Sequence, residues 1–347
     1  MEGILFVLQY NVIILWQLSF TRKKAEKRDW QLFVNLWRSN SINILLIGYG
    51  SIGKKHYSIL SSQSQVKTVD LVTRCKIDGI RSFSSLDELT QKQLDDYHIF
   101  WICTPTHQHI RNLEYIDMRV NKKLIVVEKP LFDKGIFYTP NNKVVVAYNL
   151  RFHPVIQQLK SLLLEQKILT YSVRVGQYLP FWRPDQDYRL SYSADRTKGG
   201  GVLRDLSHEL DYTMMFCGPL HVVGAVSSKL SNLAINSDDV CTILCKNNQG
   251  AAIIIYLDYL SFQTKRQIDI QTNSMTISAD LISNKIVVNA INFQKAYDFS
   301  EYDKNYSYIQ MHKNILEHNF CEISSYTEAC QVMNLIDFIS NKYTELS

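Results

Sequence analysis

Residues 44–56 read Ile-Leu-Leu-Ile-Gly-Tyr-Gly-Ser-Ile-Gly-Lys-Lys-His, an apolar run feeding a glycine-rich turn and then an amphipathic stretch through Ile59 and Leu60. Few other patterns restrict a chain so much. A strand must stop, turn sharply and enter a helix within a few residues, and each glycine has its own reason to be there. Gly48 allows the tight turn, Gly50 lets a pyrophosphate approach the backbone, and Gly53 lets the helix lie close to the strand. The first amides of such a helix have no intrahelical partner and sit at its positive end, so an anion is favoured there. Gly48, Tyr49, Gly50, Ser51, Ile52 and Gly53 are therefore candidate dinucleotide-binding residues.

The alternation of strand and helix then repeats along the chain. Strands are predicted at 66–73, 97–102, 123–127 and 143–147, with a helix after Pro105-Thr106 and a capping box at Ser85-Leu-Asp-Glu88 opening another. This predicts a parallel, doubly wound sheet over residues 41–150, with ligands beyond the carboxyl ends of its strands. The polar and proline-marked residues that follow such ends are candidate ligands, Thr104, Pro105, Thr106, His109, Glu128 and Lys129 for the cofactor and Asn149 and Arg151 for the substrate. The second strand closes on Thr73-Arg74 with no carboxylate for a ribose hydroxyl. Arg74 suits a 2′-phosphate and Thr73 can donate to it, so NADP is favoured over NAD.

After a helix beginning at Pro154 the pattern changes to period two. Strands are predicted at 169–178, 221–230, 239–246, 251–260, 266–279 and 285–291, interrupted by one helix at 201–216, with closing helices at 306–318 and 325–341. Without helices between most of these strands, antiparallel pairing is expected. The fold class is thus α/β, a Rossmann sheet followed by an α+β domain (151–347) with a large open, mainly antiparallel sheet.

The formal net charge is +5, of which residues 1–40 carry +3 from six Lys/Arg and three Asp/Glu, so the body offers no stripe for nucleic acid. Residues 4–20 are apolar and followed by a basic stretch, the reverse of a signal peptide, and too short and polar-interrupted for a comfortable span. The expectation is a dispensable extension, or a start assigned too early with the body beginning near Ser41; a membrane anchor is the alternative. Seven cysteines without a Cys-x-x-Cys spacing predict reduced thiols and a cytoplasmic protein. His107 and His109, two apart with no Cys or carboxylate beside them, do not predict a metal site.

Four segments, Gly48–Gly53, Thr104–His109, Glu128-Lys129-Pro130 and Gly199–Tyr212, resemble in order and spacing the Gfo/Idh/MocA (glucose–fructose oxidoreductase / inositol dehydrogenase) family over roughly residues 41–341. Residues 178–193, running into that last segment, resemble members from bacterial surface-polysaccharide gene clusters. The resemblance implies an NAD(P)-dependent oxidoreductase acting on a sugar, acidic sugar or sugar nucleotide, and a homo-oligomer built on the exposed face of the second sheet. It also implies an Asp and a His on the helix near 205 that bind sugar hydroxyls. The family commonly places these at i and i+4, whereas Asp205 and His208 stand at i and i+3.

Oxidising a secondary alcohol needs a proton acceptor beside a hydride acceptor. Lys129, at a strand end next to where a nicotinamide would lie, suits the first role or the orienting of the hydroxyl, with Pro130 fixing the backbone, in a cis bond in several relatives. His208 suits proton transfer because its intrinsic pKa is near neutrality. Asp205, His208 and Tyr212, at i, i+3 and i+7, are expected on one helix face. Trp182, Arg183, Tyr188 and Arg189 offer rings and guanidinium forks to an anionic sugar. A non-catalytic dinucleotide-binding sensor is the alternative, which Lys129 together with His208 argues against.

Overall fold

The computed structural model describes residues 41–182 and 184–345; the extension 1–40 and the Arg183 candidate lie outside the described residues. Strand β1 (Ile42–Ile47) is apolar almost throughout and nearly all buried, as a central strand covered on both faces must be. It leads into α1 (Ser51–Ser61), then β2 (Val66–Val72), β3 (Ser82–Phe83) and α2 (Gln91–Asp96). The capping box that opens α2 is Thr90 with Gln93. The expected box at Ser85 forms no side-chain cap and yields only a short 3-10 turn, because Glu88 is taken by the Ser84 amide at 2.9 Å. Then come β4 (Ile99–Ile102), α3 (His109–Asp117), β5 (Leu124–Val127), β6 (Lys143–Val146) and α4 (Pro154–Leu162).

The second half holds β7 (Ile168–Gly176), α5 (Val202–Asp205), α6 (Ser207–Cys217), β8 (Leu220–Ser228), β9 (Val240–Asn247) and β10 (Ala252–Asp258). It continues with β11 (Lys265–Thr272), β12 (Met275–Asp280), β13 (Lys285–Ala290) and β14 (Phe293–Asp298). It closes with α7 (Tyr306–Leu316), β15 (Ser324–Ser325), α8 (Tyr326–Tyr343) and β16 (Thr344–Glu345). The single run expected at 266–279 is a hairpin of β11 and β12, with Ile270 opposite Ile277. Strand β14 is not legible from sequence because its side chains are almost all exposed and show no alternation.

The first sheet has the order β15-β6-β5-β4-β1-β2-β3, parallel except at β15. The strand order reverses between β1 and β4, and the crevice beyond their carboxyl ends is where such sheets bind ligands. The second sheet has the order β14-β13-β12-β11-β7-β10-β9-β8-β16 and is antiparallel except for the β7–β10 and β8–β16 pairs. One buried cluster joins the two sheets, running from Leu45 and Val127 through Tyr171 and Ile268 to Ile336. A second lies on the other face of the first sheet, where Ile44, Leu46 and Trp101 meet Met311 and Ile315 of α7. Helix α7 is therefore held against the glycine-bearing half of the chain although it is remote in sequence. Among the described residues no helix is long and apolar enough to cross a membrane.

Candidate active site

The glycine turn has the geometry its spacing predicts. Gly48 sits at φ +99°, and a Cβ there would lie 2.7 Å from the Cys103 carbonyl and 2.8 Å from the Thr104 nitrogen. A Cβ on Gly53 would fall on the Gly48 carbonyl oxygen, so the turn and α1 close on each other. Gly50 differs: nothing lies within 4 Å of its Cβ direction, which leaves room for an anion. Helix α1 starts at Ser51, Ile52 and Gly53 with no side-chain cap and no acidic residue in its first turn. Its leading amides are thus available to an anion. Tyr49 stands beside them, edge-on to Tyr57.

At the end of β2, Arg74 is exposed and the Thr73 hydroxyl accepts from the Cys75 amide at 3.3 Å. After β4 the Thr104 hydroxyl accepts from Asn112 at 2.9 Å, Pro105 is exposed and Thr106 is buried. His109 is not open to a ligand. Its Nε2 lies 2.8 Å from the Thr104 carbonyl and its Nδ1 lies 3.1 Å from the carbonyls of Pro130 and Leu131. The ring straps the β4 exit to the β5 exit, and burial pushes its pKa down.

Strand β5 delivers Glu128, Lys129 and a cis Pro130. The Lys129 ammonium donates to the Asp205 carbonyl at 2.9 Å, crossing from one sheet's loops to the other's helices. It meets a broken helix. The Asp238 carboxylate caps α5 by accepting from the Leu203 amide at 3.0 Å, and the chain then breaks at Leu206 (φ −96°, ψ 33°) before α6 resumes. Asp205 and His208 consequently belong to two helices, which corrects the expectation of one continuous face through Tyr212. The Asp205 carboxylate accepts from the Tyr259 hydroxyl at 2.6 Å through Oδ2, while Oδ1 is buried with no partner. His208 is 8% exposed, its ring edge-on to Tyr148 at 5.4 Å, and its Nδ1 is likewise buried without a partner. Burial, then the positive charges of Lys129 and Arg266, hold its pKa well below the ordinary value, so the ring is a neutral base. Buried polar atoms are almost always paired, so two unpaired ones beside a lysine leave hydrogen-bonding capacity open there.

The other candidates are placed differently. Tyr212 is fully buried and donates to Glu209 at 3.0 Å, and the same Glu209 oxygen meets Arg266 of β11, also at 3.0 Å. Arg151, 4% exposed, donates twice to Asp211 at 2.8 and 2.7 Å and once to Glu328 at 3.0 Å. Its guanidinium ties the end of the first sheet to α6 and α8 and is not offered to a substrate, which corrects the sequence expectation. Asn149 is buried beside it in the chain. Trp182 donates to the Gln177 carbonyl at 3.1 Å and packs edge-on against Tyr259 at 5.2 Å, and so reaches Asp205 through that tyrosine. A small hollow lies between Leu179, Trp182, Asp187 and Tyr188. The Tyr188 hydroxyl accepts from the Ala234 amide at 3.2 Å. Arg189 points into solvent and pairs with Asp187 at 2.6 Å. Tyr259 and Arg266 were not found from sequence. Each follows or stands on a strand of the second sheet, and no local pattern says that it reaches the broken helix. Tyr148 directly follows the strand predicted at 143–147, and nothing local in the sequence says that it meets His208.

Residues 42–135 match the model of the oxidoreductase family with an NAD-binding Rossmann fold (Gfo/Idh/MocA). No curated protein matches the sequence significantly. Solved structures share the two-sheet fold. UDP-N-acetylglucosamine 3-dehydrogenase from Acidithiobacillus ferrooxidans superposes with a TM-score of 0.68 at 17% identity, over 87% of this chain and 97% of that one. A 3-ketoreductase from Actinomadura kijaniata, solved with NADP, gives 0.71 at 13% identity over 89% and 100%. The WlbA dehydrogenase from Bordetella pertussis, solved with NADH and UDP-GlcNAcA, gives 0.65 at 18% over 86% and 95%.

Proposed function

We propose a reaction for this chain, whose residues 42–135 match the NAD-binding model of the Gfo/Idh/MocA oxidoreductase family. It passes hydride between a nicotinamide dinucleotide and a hydroxyl-bearing carbon of a sugar, with a sugar nucleotide or acidic sugar as the favoured substrate. Residues 41–150 hold the dinucleotide and residues 151–347 the sugar. The observation that carries the reading is the bond from Lys129 to the carbonyl of Asp205, beside a neutral His208. It gathers a lysine, a base and a carboxylate with unpaired atoms where the two halves of the chain meet. The open face of Gly50 and the uncapped start of α1 fit a pyrophosphate. The nicotinamide supplies the hydride acceptor or donor. Lys129 orients the sugar hydroxyl, Asp205 Oδ1 accepts from a neighbouring hydroxyl, and His208 takes the hydroxyl proton as the carbonyl forms, or returns it in the reverse direction. Similar folds that act on UDP-N-acetylglucosamine or hold UDP-GlcNAcA support the choice of substrate class.

The dinucleotide is read as NADP because Arg74 stands exposed at the β2 end where no carboxylate competes. Fluorescence titration of residues 41–347 with NADPH and NADH tests this. NADPH is expected to bind more tightly, and Arg74→Ala to remove the preference while leaving NADH binding in place. A preference unchanged in Arg74→Ala refutes the assignment, and failure of both nucleotides to bind at micromolar concentration refutes the enzyme.

The outer face of the second sheet is read as the surface covered by a second copy. Leu244 of β9 stands directly opposite Ile254 of β10, and both are exposed together with Val226 of β8. Light scattering is expected to give a multiple of the chain mass, and Leu244→Lys with Ile254→Lys to reduce it to one chain. A wild-type protein that runs as a single chain at all concentrations removes this assignment.

A further inference from the structure

Behind the site lies a buried row of polar groups that the proposed chemistry does not use. Helix α1 carries His56 and α7 carries His312, each 0% exposed. His312 Nδ1 lies 2.6 Å from the Tyr308 carbonyl, His312 Nε2 lies 2.8 Å from His56 Nδ1, and His56 Nε2 lies 2.6 Å from Glu128 Oε1. Trp101 stacks on the His312 ring at 4.7 Å and lies 4.8 Å from His56, which fixes both planes.

The order of these partners settles the protons. A carbonyl can only accept, so His312 carries its proton on Nδ1. Burial, then the adjacent His56, hold the pKa of His312 well below the ordinary value, so this ring is neutral and its Nε2 accepts. His56 must then donate through Nδ1. That leaves His56 Nε2 against a carboxyl oxygen, a contact that closes only with one further proton between them. The other Glu128 oxygen accepts from the Lys129 amide at 3.2 Å. The row thus begins on α7, crosses the glycine helix, and ends on the backbone of the lysine.

We propose that His312 is a positioning residue for Lys129. By accepting from His56 it selects the His56 tautomer, places a proton in the His56–Glu128 contact, and so fixes the carboxylate that holds the Lys129 amide. The effect on turnover rests on the assignment of Lys129 to the sugar hydroxyl; the proton arrangement stands apart from it.

Histidine nitrogen resonances of the labelled full chain give the test. His312 is expected as the neutral Nδ1–H tautomer and His56 as protonated on Nδ1. In His312→Leu the Lys129 amide resonance is expected to move and its exchange with solvent to quicken. In His312→Gln, whose amide oxygen can take the place of Nε2, both stay near wild type. If His312→Leu fails to fold, the wild-type tautomers and His312→Gln still decide the matter. A proton on His312 Nε2, a bare His56 Nδ1, or an unmoved Lys129 amide in a folded His312→Leu overturns the proposal. Turnover of His312→Leu should fall about tenfold or more, as misplacement of a reacting group does, with His312→Gln spared. Absence of dinucleotide binding in the wild type would refute the catalytic reading while leaving the tautomer result to stand by itself.

Discussion

Lys129→Met is expected to lower kcat by about 10²–10⁴-fold, the range removed with a positioned acid or base, while leaving dinucleotide binding nearly intact. The loss should appear in kcat because the proposed reaction sets the ammonium on the reacting hydroxyl and the pyrophosphate on the glycine turn and the start of α1. The same assay gives a pH signature. His208 is held neutral by burial and by the charges of Lys129 and Arg266, so its pKa lies well below 6.5 in the folded chain. Activity should therefore persist as pH falls through 6.5, with the acid limb of kcat/KM below that value. Stability moves the other way. The unfolded chain takes up a proton on this histidine below about 6.5, so the stability tied to its neutral burial is present above that pH and lost as pH falls through it. His208→Gln should flatten that part of the stability profile and abolish the acid limb. An acid limb at or above about pH 6.5 would show that the proton passes elsewhere, and a Lys129→Met enzyme within tenfold of wild type would show that the lysine does not act on the reacting hydroxyl.

Arg151→Met is expected to cost about 3–5 kcal/mol of stability, the usual effect of stripping one partner from a buried ion pair. Asp211, 1% exposed, would lose the guanidinium that neutralises it and keep only the Ser324 hydroxyl at 3.2 Å. Glu328 would lose its bond to the same guanidinium. Chemical denaturation of the variant should show an earlier midpoint. Pairing Arg151→Met with Asp211→Leu should recover most of the loss, because an apolar pair carries no desolvation penalty. A substrate-binding arginine would behave differently, raising KM without lowering the midpoint. That outcome would return Arg151 to the role its sequence position suggested.

Legibility from sequence followed how local each constraint is. The glycine turn, the strands around it and the Glu128-Lys129-Pro130 exit were readable because strand, turn and helix follow one another in the chain and each glycine answers to a neighbouring segment. The alternating strands of the second sheet were readable for the same reason, since a half-buried strand prints its two faces into its own sequence. Strand β14 prints nothing, because both its faces are exposed. The break at Leu206 was hidden as well. No glycine or proline marks it, and the short helix before it is capped by Asp238, 35 residues from the Leu203 amide.

Side-chain roles divided along the same line. A strand-end arginine, histidine or tyrosine has one sequence appearance whether it meets a substrate, a carbonyl or a buried acid. Arg151 found Asp211 and Glu328, and His109 found the carbonyls of Pro130 and Leu131, each through packing that no local pattern encodes. The sequence alone determined that a dinucleotide-type turn opens the body, that a lysine follows a neighbouring strand, and that an open sheet makes up the second half. Only the tertiary structure decided which polar groups are left over. Hydrogen-bond capacity is consumed by whatever the fold brings close, and among the buried atoms still unpaired afterwards are Asp205 Oδ1 and His208 Nδ1 beside Lys129, which the proposed reaction gives to the substrate.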